Sequence, residues 1–247
     1  MNAVYRLCGA VFLVMALAVT PSAATADTSE AYWVWSLDRP LAALAEDADI
    51  YVLQGQIDDG PGGPGGPGGP RFRFQGVPAG PSLPGGGALT LVYRLDDLVP
   101  VPFLMRRFLV HRRAWRDAGR RVAGLQIDFD SPTGGLPAYG HWLAVLRAAL
   151  GPETVLSITG LGDWLVSAPA ADLRRLAAAP DFIAFMMYHG DRPLAATAPY
   201  LRALVQFPAR FRLGLLAAQK DAPALDAARR ARHYGGDIIF LLPAARS

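Results

Sequence analysis

The sequence predicts an α/β fold, a single (β/α)₈ barrel, and three observations carry that expectation. Eight short apolar runs rich in β-forming residues recur along the chain. Amphipathic helical stretches separate most of them, the pattern of a parallel sheet. No glycine-rich turn follows the first run, so an open dinucleotide-binding sheet has no support.

The runs are Ala31–Ser36, Asp49–Ile57, Leu89–Leu95, Val122–Asp130, Thr154–Gly160, Asp181–Tyr188, Phe211–Ala217 and Asp237–Leu242. Helices are predicted over Pro102–Gly119, Pro137–Leu150, Ala170–Ala179, Pro199–Phe207 and Ala222–Tyr234. Two places depart from a regular TIM barrel. The stretch 58–88 contains the run Gly60 to Pro70, in which glycine and proline alternate without a helical pattern, and it reads as a surface insertion in place of helix 2. Arg71-Phe72-Arg73-Phe74 behind it predicts a short edge strand. The sequence also ends just past the eighth run, so the last helix is expected to be missing or truncated.

The 247 residues suit one large domain, and a hydrophobic content of 52% is enough to fill a sizeable core. Residues 1–26 read as a secretory signal peptide. Arg6 is the positive region, Leu7 to Val19 the apolar stretch, and Ala24-Thr25-Ala26 a small-residue cleavage site before Asp27. The apolar stretch falls short of the roughly 20 residues of a spanning helix. The expected mature chain, 27–247, is therefore exported to the periplasm or the medium, with no membrane span. Its only cysteine, Cys8, leaves with the signal, which excludes disulfides, thiolate metal sites and cysteine nucleophiles. Loss of Arg6 lowers the formal charge from +3 to +2. The arginines between Arg106 and Arg121 read as a solvated helix face, and without interleaved aromatics they do not indicate nucleic acid.

In such a barrel the working face lies at the C-terminal ends of the strands. Residues two apart on a strand share a face. On the fourth run Leu125, Ile127 and Phe129 should face the helices, and Gln126, Asp128 and Asp130 should line the interior, rising toward the mouth. Two successive inward carboxylates are costly unless paired or used. Other strand ends offer polar groups to the same place: Gln54 and Gln56 on one face of the second run, Tyr93 or Arg94 on the third, Thr159 on the fifth with Trp164 after it, and Met186, Tyr188 and His189 on the sixth. Trp33, Trp35, Trp164 and Tyr188 are candidate platforms for a sugar ring.

Ala123-Gly124-Leu125-Gln126-Ile127-Asp128-Phe129-Asp130 resembles the strand-four signature of the family 18 glycoside hydrolases, Asp-Gly-x-Asp-x-Asp-x-Glu. Gly124 and Asp128 match. Asp130 stands at the acid Glu, and Ala123 and Gln126 replace the first two acidic residues. Met186-Met187-Tyr188-His189 resembles that family's Met-x-Tyr-Asp, and the strand-eight tryptophan has no counterpart in Ile238 to Leu242. Trp33-Val34-Trp35, Gln54-Gly55-Gln56 and Val92 to Leu95, together with Gly124 to Thr133 and Leu156 to Leu161, are similar to a group of bacterial exported proteins of unknown function.

The first resemblance implies a glycoside hydrolase-like protein acting on a poly- or oligosaccharide. Asp130 would be the acid, Asp128 the stabiliser of the intermediate, and Tyr188 a contact to the substrate's acetamide. Trp35, Gln54, Gln56, Arg94, Gln126, Thr159, Trp164, Met186 and His189 complete the expected binding set. The alternative is a carbohydrate-binding barrel without catalysis, which fits the lost acidic positions and the Asp in place of Glu. A metal-dependent hydrolase or deacetylase using Asp128, Asp130 and His189 is a lesser alternative. The mature histidines, His111, His141, His189 and His233, show no metal-binding spacing, so no metal or cofactor is expected. No Gly-x-Ser-x-Gly elbow suggests a serine hydrolase.

Overall fold

The computed structural model describes residues 30–37, 41, 44–60, 68–80, 83, 86–194 and 198–242. The expected signal peptide, most of the Gly/Pro run and the segment after Leu242 lie outside the described residues.

Eight parallel strands close on themselves. They are β1 (Ala31–Val34), β2 (Asp49–Asp58), β3 (Leu89–Leu95), β4 (Val122–Asp128), β5 (Val155–Leu161), β6 (Phe182–Met186), β7 (Phe211–Leu216) and β8 (Tyr234–Leu241). Each pairs with the next, and β1 pairs with both β2 and β8, which completes the barrel. The helices are α1 (Val101–Asp117), α2 (Leu136–Leu150), α3 (Gly162–Ser167), α4 (Ala170–Leu176), α5 (Ala198–Val205) and α6 (Asp226–Arg229). Proline stands in the first turn of α1 and α2, where its missing N–H has no helical partner to lose.

Four of the five expected helices form within a few residues of their expected bounds. The stretch 222–234 forms far less helix, because i→i+3 turns flank the single turn of α6. Among the described residues no helix lies between β2 and β3. The edge strand Arg71–Phe74 pairs there instead, antiparallel to Gly55–Asp58. The reason lies in β1, which is four residues long and pairs only with Asp49–Val52. The upper half of β2 would otherwise present unpaired backbone groups, and the edge strand occupies them. It passes so close that a Cβ on Gly55 would lie 2.3 Å from the carbonyl oxygen of Arg73, so only glycine fits.

Strand alternation divides the core in two. Val52, Leu91, Leu125, Ile127, Ile158, Ile183 and Leu213 pack outward with Leu104, Phe108, Trp115, Leu143 and Leu176 of the helices. Trp33, Leu53, Val92, Ala184, Ile238 and Phe240 fill the interior. Among the described residues no helix is long and apolar enough to cross a membrane.

Candidate functional site

Strand four sends its polar residues inward in a ladder. Gln126 is the lowest rung and fully buried. Its Oε1 accepts from the indole N–H of Trp33 at 2.8 Å, and its Nε2 donates to Ser157 Oγ at 3.2 Å. Two residues higher, Asp128 has both oxygens engaged. Thr159 Oγ1 donates to Oδ1 at 2.8 Å and Arg94 Nη1 to Oδ2 at 3.0 Å. Asp130 stands at the rim with its side chain 44% exposed, and its Oδ2 accepts from Arg94 Nη2 at 2.8 Å. One guanidinium thus grips two carboxylates. Asp130 Oδ1 has no hydrogen-bond partner among the described residues and faces solvent.

The electrostatics follow from depth. Burial pushes the Asp128 carboxyl above its ordinary value. Arg94 and Thr159 pull it back, and Asp130 adds to the rise. Burial works against the charge on Arg94, but the two carboxylates outweigh it and raise its affinity for its proton. Burial also raises the Tyr188 phenol, with Asp128 and Asp130 adding to the effect, so the hydroxyl stays a donor.

Arg94 is therefore the inward residue of its pair. Tyr93 faces out, fully buried, with its hydroxyl 2.8 Å from His111 Nδ1 of α1.

An aromatic wall faces the polar one. Trp33 stacks on Phe240, with centroids 5.2 Å apart and planes 15° apart. Tyr188 tilts against the other end of Phe240 at 5.2 Å, and Trp35 lies against Trp33 at 4.4 Å. Between the walls, at the C-terminal mouth, opens a cavity of about 520 Å³. Arg94, Asp128 and Asp130 line one side. Met186, Tyr188, His189 and Phe240 line the other, with Leu161, Gly162, Asp163, Gly190 and Leu194 at the rim.

The structure thus brings together Arg94, Asp128, Asp130, Met186, Tyr188 and His189 from the expected set, with Thr159 directly behind Asp128. Five residues fall elsewhere. Gln54 does not share a face with Gln56. A bulge between Leu53 and Gly55 inserts one residue, and the alternation flips across it. Gln54 therefore points outward, where its Oε1 accepts from Trp115 Nε1 at 3.1 Å and its Nε2 donates to Val77 O at 3.4 Å. Gln56 pairs in register with Arg94, but its amide donates to Asp96, outside the cavity lining. Trp164 is fully buried behind α3, its indole N–H donating to Ser131 O at 2.9 Å. It is not a sugar platform, because the helix begins directly after β5 and turns its third residue back into the outer core. Trp35 packs on Trp33 and does not line the cavity, and Gln126 is sealed below it.

Of the six lining residues outside the expected set, Phe240 and Asp163 matter most to the chemistry of the site. Phe240 was visible as part of an apolar run, and its inward alternation with Ile238 is the signal that marks it. Asp163 opens α3, and its Oδ1 accepts from Tyr200 Oη at 3.1 Å. His189 lies in the same cavity as Asp128 and Asp130. Among the described residues, however, no three His, Cys, Asp or Glu side chains are arranged to hold a metal ion.

No curated protein matches the chain in sequence. Solved structures similar in fold include the xylanase and α-amylase inhibitor protein XAIP-II from Scadoxus multiflorus, at 14% identity, covering 85% of this chain and 92% of that one, with a TM-score of 0.55. The xylanase–α-amylase inhibitor protein XAIP-I in complex with trehalose is also 14% identical, covering 87% and 93%, with a TM-score of 0.56. The ICChI chitinase from Ipomoea carnea is 13% identical, covering 86% and 94%, with a TM-score of 0.50. Residues 90–181 match the family model described as "Domain of unknown function (DUF3142)". The chain therefore has the chitinase-like (β/α)₈ barrel fold, and its segment from β3 to β5, which carries Arg94, Asp128, Asp130 and Thr159, matches a domain family of unknown function.

Proposed function

We propose that the chain is a carbohydrate-binding barrel that holds an oligosaccharide at its C-terminal mouth without cleaving it. One observation carries this reading: Arg94 occupies both strand-four carboxylates at once. A glycosidic acid has to carry a proton to the leaving oxygen. Asp128 is buried with both oxygens engaged, so it has no free atom to offer. Asp130 is tied on one oxygen and is one methylene shorter than the Glu of the hydrolase signature. A misplacement of about 1 Å at the reacting group costs around a hundredfold in rate. Binding asks for less. Tyr188 offers an apolar ring backed by Phe240, and Asp130 Oδ1, the Tyr188 hydroxyl and His189 offer polar partners around it.

A second reading, a working glycoside hydrolase, is favoured by the placement of two carboxyl groups side by side at the cavity, with Asp130 partly exposed at the rim and Asp128 buried behind it. Asp130 would then be the acid, Asp128 the stabiliser and Tyr188 a substrate contact.

The two readings separate in one experiment. The purified protein is titrated calorimetrically with a panel of neutral and N-acetylated oligosaccharides that includes trehalose, and reducing ends are assayed in parallel. Binding without new reducing ends supports the binding barrel. Turnover that disappears in Asp130→Ala and Asp128→Asn establishes the hydrolase instead. Neither binding nor turnover with any member defeats both. Export belongs to the same proposal, and a mature protein whose N-terminal sequence begins at Asp27 would support it.

A further inference from the structure

The cavity has a charge that its polar floor does not cancel. Among the described residues three carboxylates line it, from Asp128, Asp130 and Asp163, against one guanidinium, from Arg94, a formal −2 from these four side chains. Among them Arg94 is the sole arginine or lysine in the lining, and both of its terminal nitrogens are already bonded to aspartates, so the described lining offers no free cation to an anionic ligand. The unspent capacity is all on the acceptor side. Among the described residues Asp130 Oδ1 has no partner, and Asp163 uses one oxygen for Tyr200 with no partner on Oδ2. The ring of Tyr188 lines the same cavity, backed by the nearly buried Phe240. Acceptor-only oxygens and π faces both favour an ammonium over a hydroxyl or an acetamide.

We infer, on the carbohydrate-binding reading above, that the ligand of this cavity is a cationic amino sugar, an oligosaccharide whose ring amines are free ammonium groups. The ammonium sits between the open oxygens of Asp130 and Asp163, and a ring face rests on Tyr188. Uronic acids and sulfated sugars are rejected by the uncompensated negative charge.

The test changes one substituent at a time. Four β-1,4-linked tetramers of the same length are titrated calorimetrically into the intact protein: glucosamine, N-acetylglucosamine, glucose and glucuronic acid. The glucosamine tetramer should bind about fivefold or more tightly than the glucose tetramer, the sum expected of two partly exposed charge pairs. Raising the salt to about 0.5 M should shrink that ratio, because solvent-exposed charges are screened within a few ångströms there. Asp163→Asn keeps an acceptor for Tyr200 and should cut the ratio about twofold or more, and Asp130→Asn should do the same independently. Melting curves confirm that each variant is folded, and either variant suffices if the other is not. Equal or tighter binding of the glucose, N-acetylglucosamine or glucuronic acid tetramer overturns the amino-sugar assignment while leaving the binding barrel intact. A glucosamine preference that survives both substitutions also overturns it. Failure of every tetramer to bind defeats the carbohydrate reading itself.

Discussion

The two walls of the mouth are built by opposite means. The polar wall comes from β3, β4 and β5, neighbouring strands that pair in register from Thr90 and Gly124 upward, and its groups satisfy one another: Arg94 with both aspartates, Thr159 with Asp128, Gln126 with Ser157. The aromatic wall comes from β1, the end of β6 and β8, and its members touch through ring faces. A single bond links the two, from the Trp33 indole to Gln126. The polar wall is therefore specific about which residue stands where, whereas the aromatic wall contributes mainly buried area. In such a site, charge selects the ligand and stacking holds it.

Trp33 is where that contrast is most exposed to test. Trp33→Ala removes a fully buried indole, unstacks Phe240 and strips the Gln126 oxygen of its donor. It should cost about 3–5 kcal/mol in chemical denaturation. A smaller loss would mean that the aromatic wall is not the structural half of the pair. On the polar side, Arg94→Met leaves two carboxylates without their cation, one of them buried. Breaking a buried pair costs about 3–5 kcal/mol, and since the guanidinium is partly exposed a loss of about 2–3 kcal/mol is expected. A stable Arg94→Met protein would show that the aspartates do not need the fork.

Function should divide differently from stability. Tyr188→Ala removes a partly buried ring at the edge of the interior cluster and should weaken oligosaccharide binding about tenfold, or about 1.4 kcal/mol, by calorimetry. The smallest effect concerns Asp128. Its carboxyl titrates above the ordinary value of 3.8, so the folded chain holds that proton more tightly than the unfolded chain does. The associated stability is fully present below that value and is lost as the pH rises through the raised one. Asp128→Asn carries no charge at any pH, so its stability relative to wild type should improve between about pH 3 and pH 7 in thermal melts. A gap that stays constant, or moves the other way, would contradict the direction of the shift.

The polar wall was far more legible in the sequence than the aromatic one. The period-two reading of Gln126, Asp128 and Asp130 placed each of them correctly, because the one irregularity in β4, at Ala123, lies below all three and the pairing from Gly124 upward is in register. The same rule failed at Gln54, where one inserted residue reverses every face above it. Nothing in Leu53-Gln54-Gly55 marks a bulge except the glycine. Trp164 looked like a loop aromatic after β5 and is a helix residue, since a six-residue helix shows too little periodicity to be seen. Phe240 and Asp163 were missed because a site is assembled from elements whose relative placement only the closed barrel defines. The (β/α)₈ fold itself needed no such detail, because eight alternating segments suffice to specify it.

The closure of the barrel has a consequence for how the chain assembles. The seam joins Tyr32 to Ile239 and Trp33 to Phe240, residues from opposite ends of the chain, through a strand of only four residues. Contacts so distant in sequence carry a large loop-closure entropy and form late. The segment from β3 to β5, by contrast, is contiguous and can order early. The carboxylate clamp is thus expected to exist on a half-finished barrel, whereas the stacking surface comes into being only with the last strand. Ligand binding would then report closure of the barrel, and a chain cut short before Tyr234 would retain its aspartates and lack Phe240, the ring that backs the second wall.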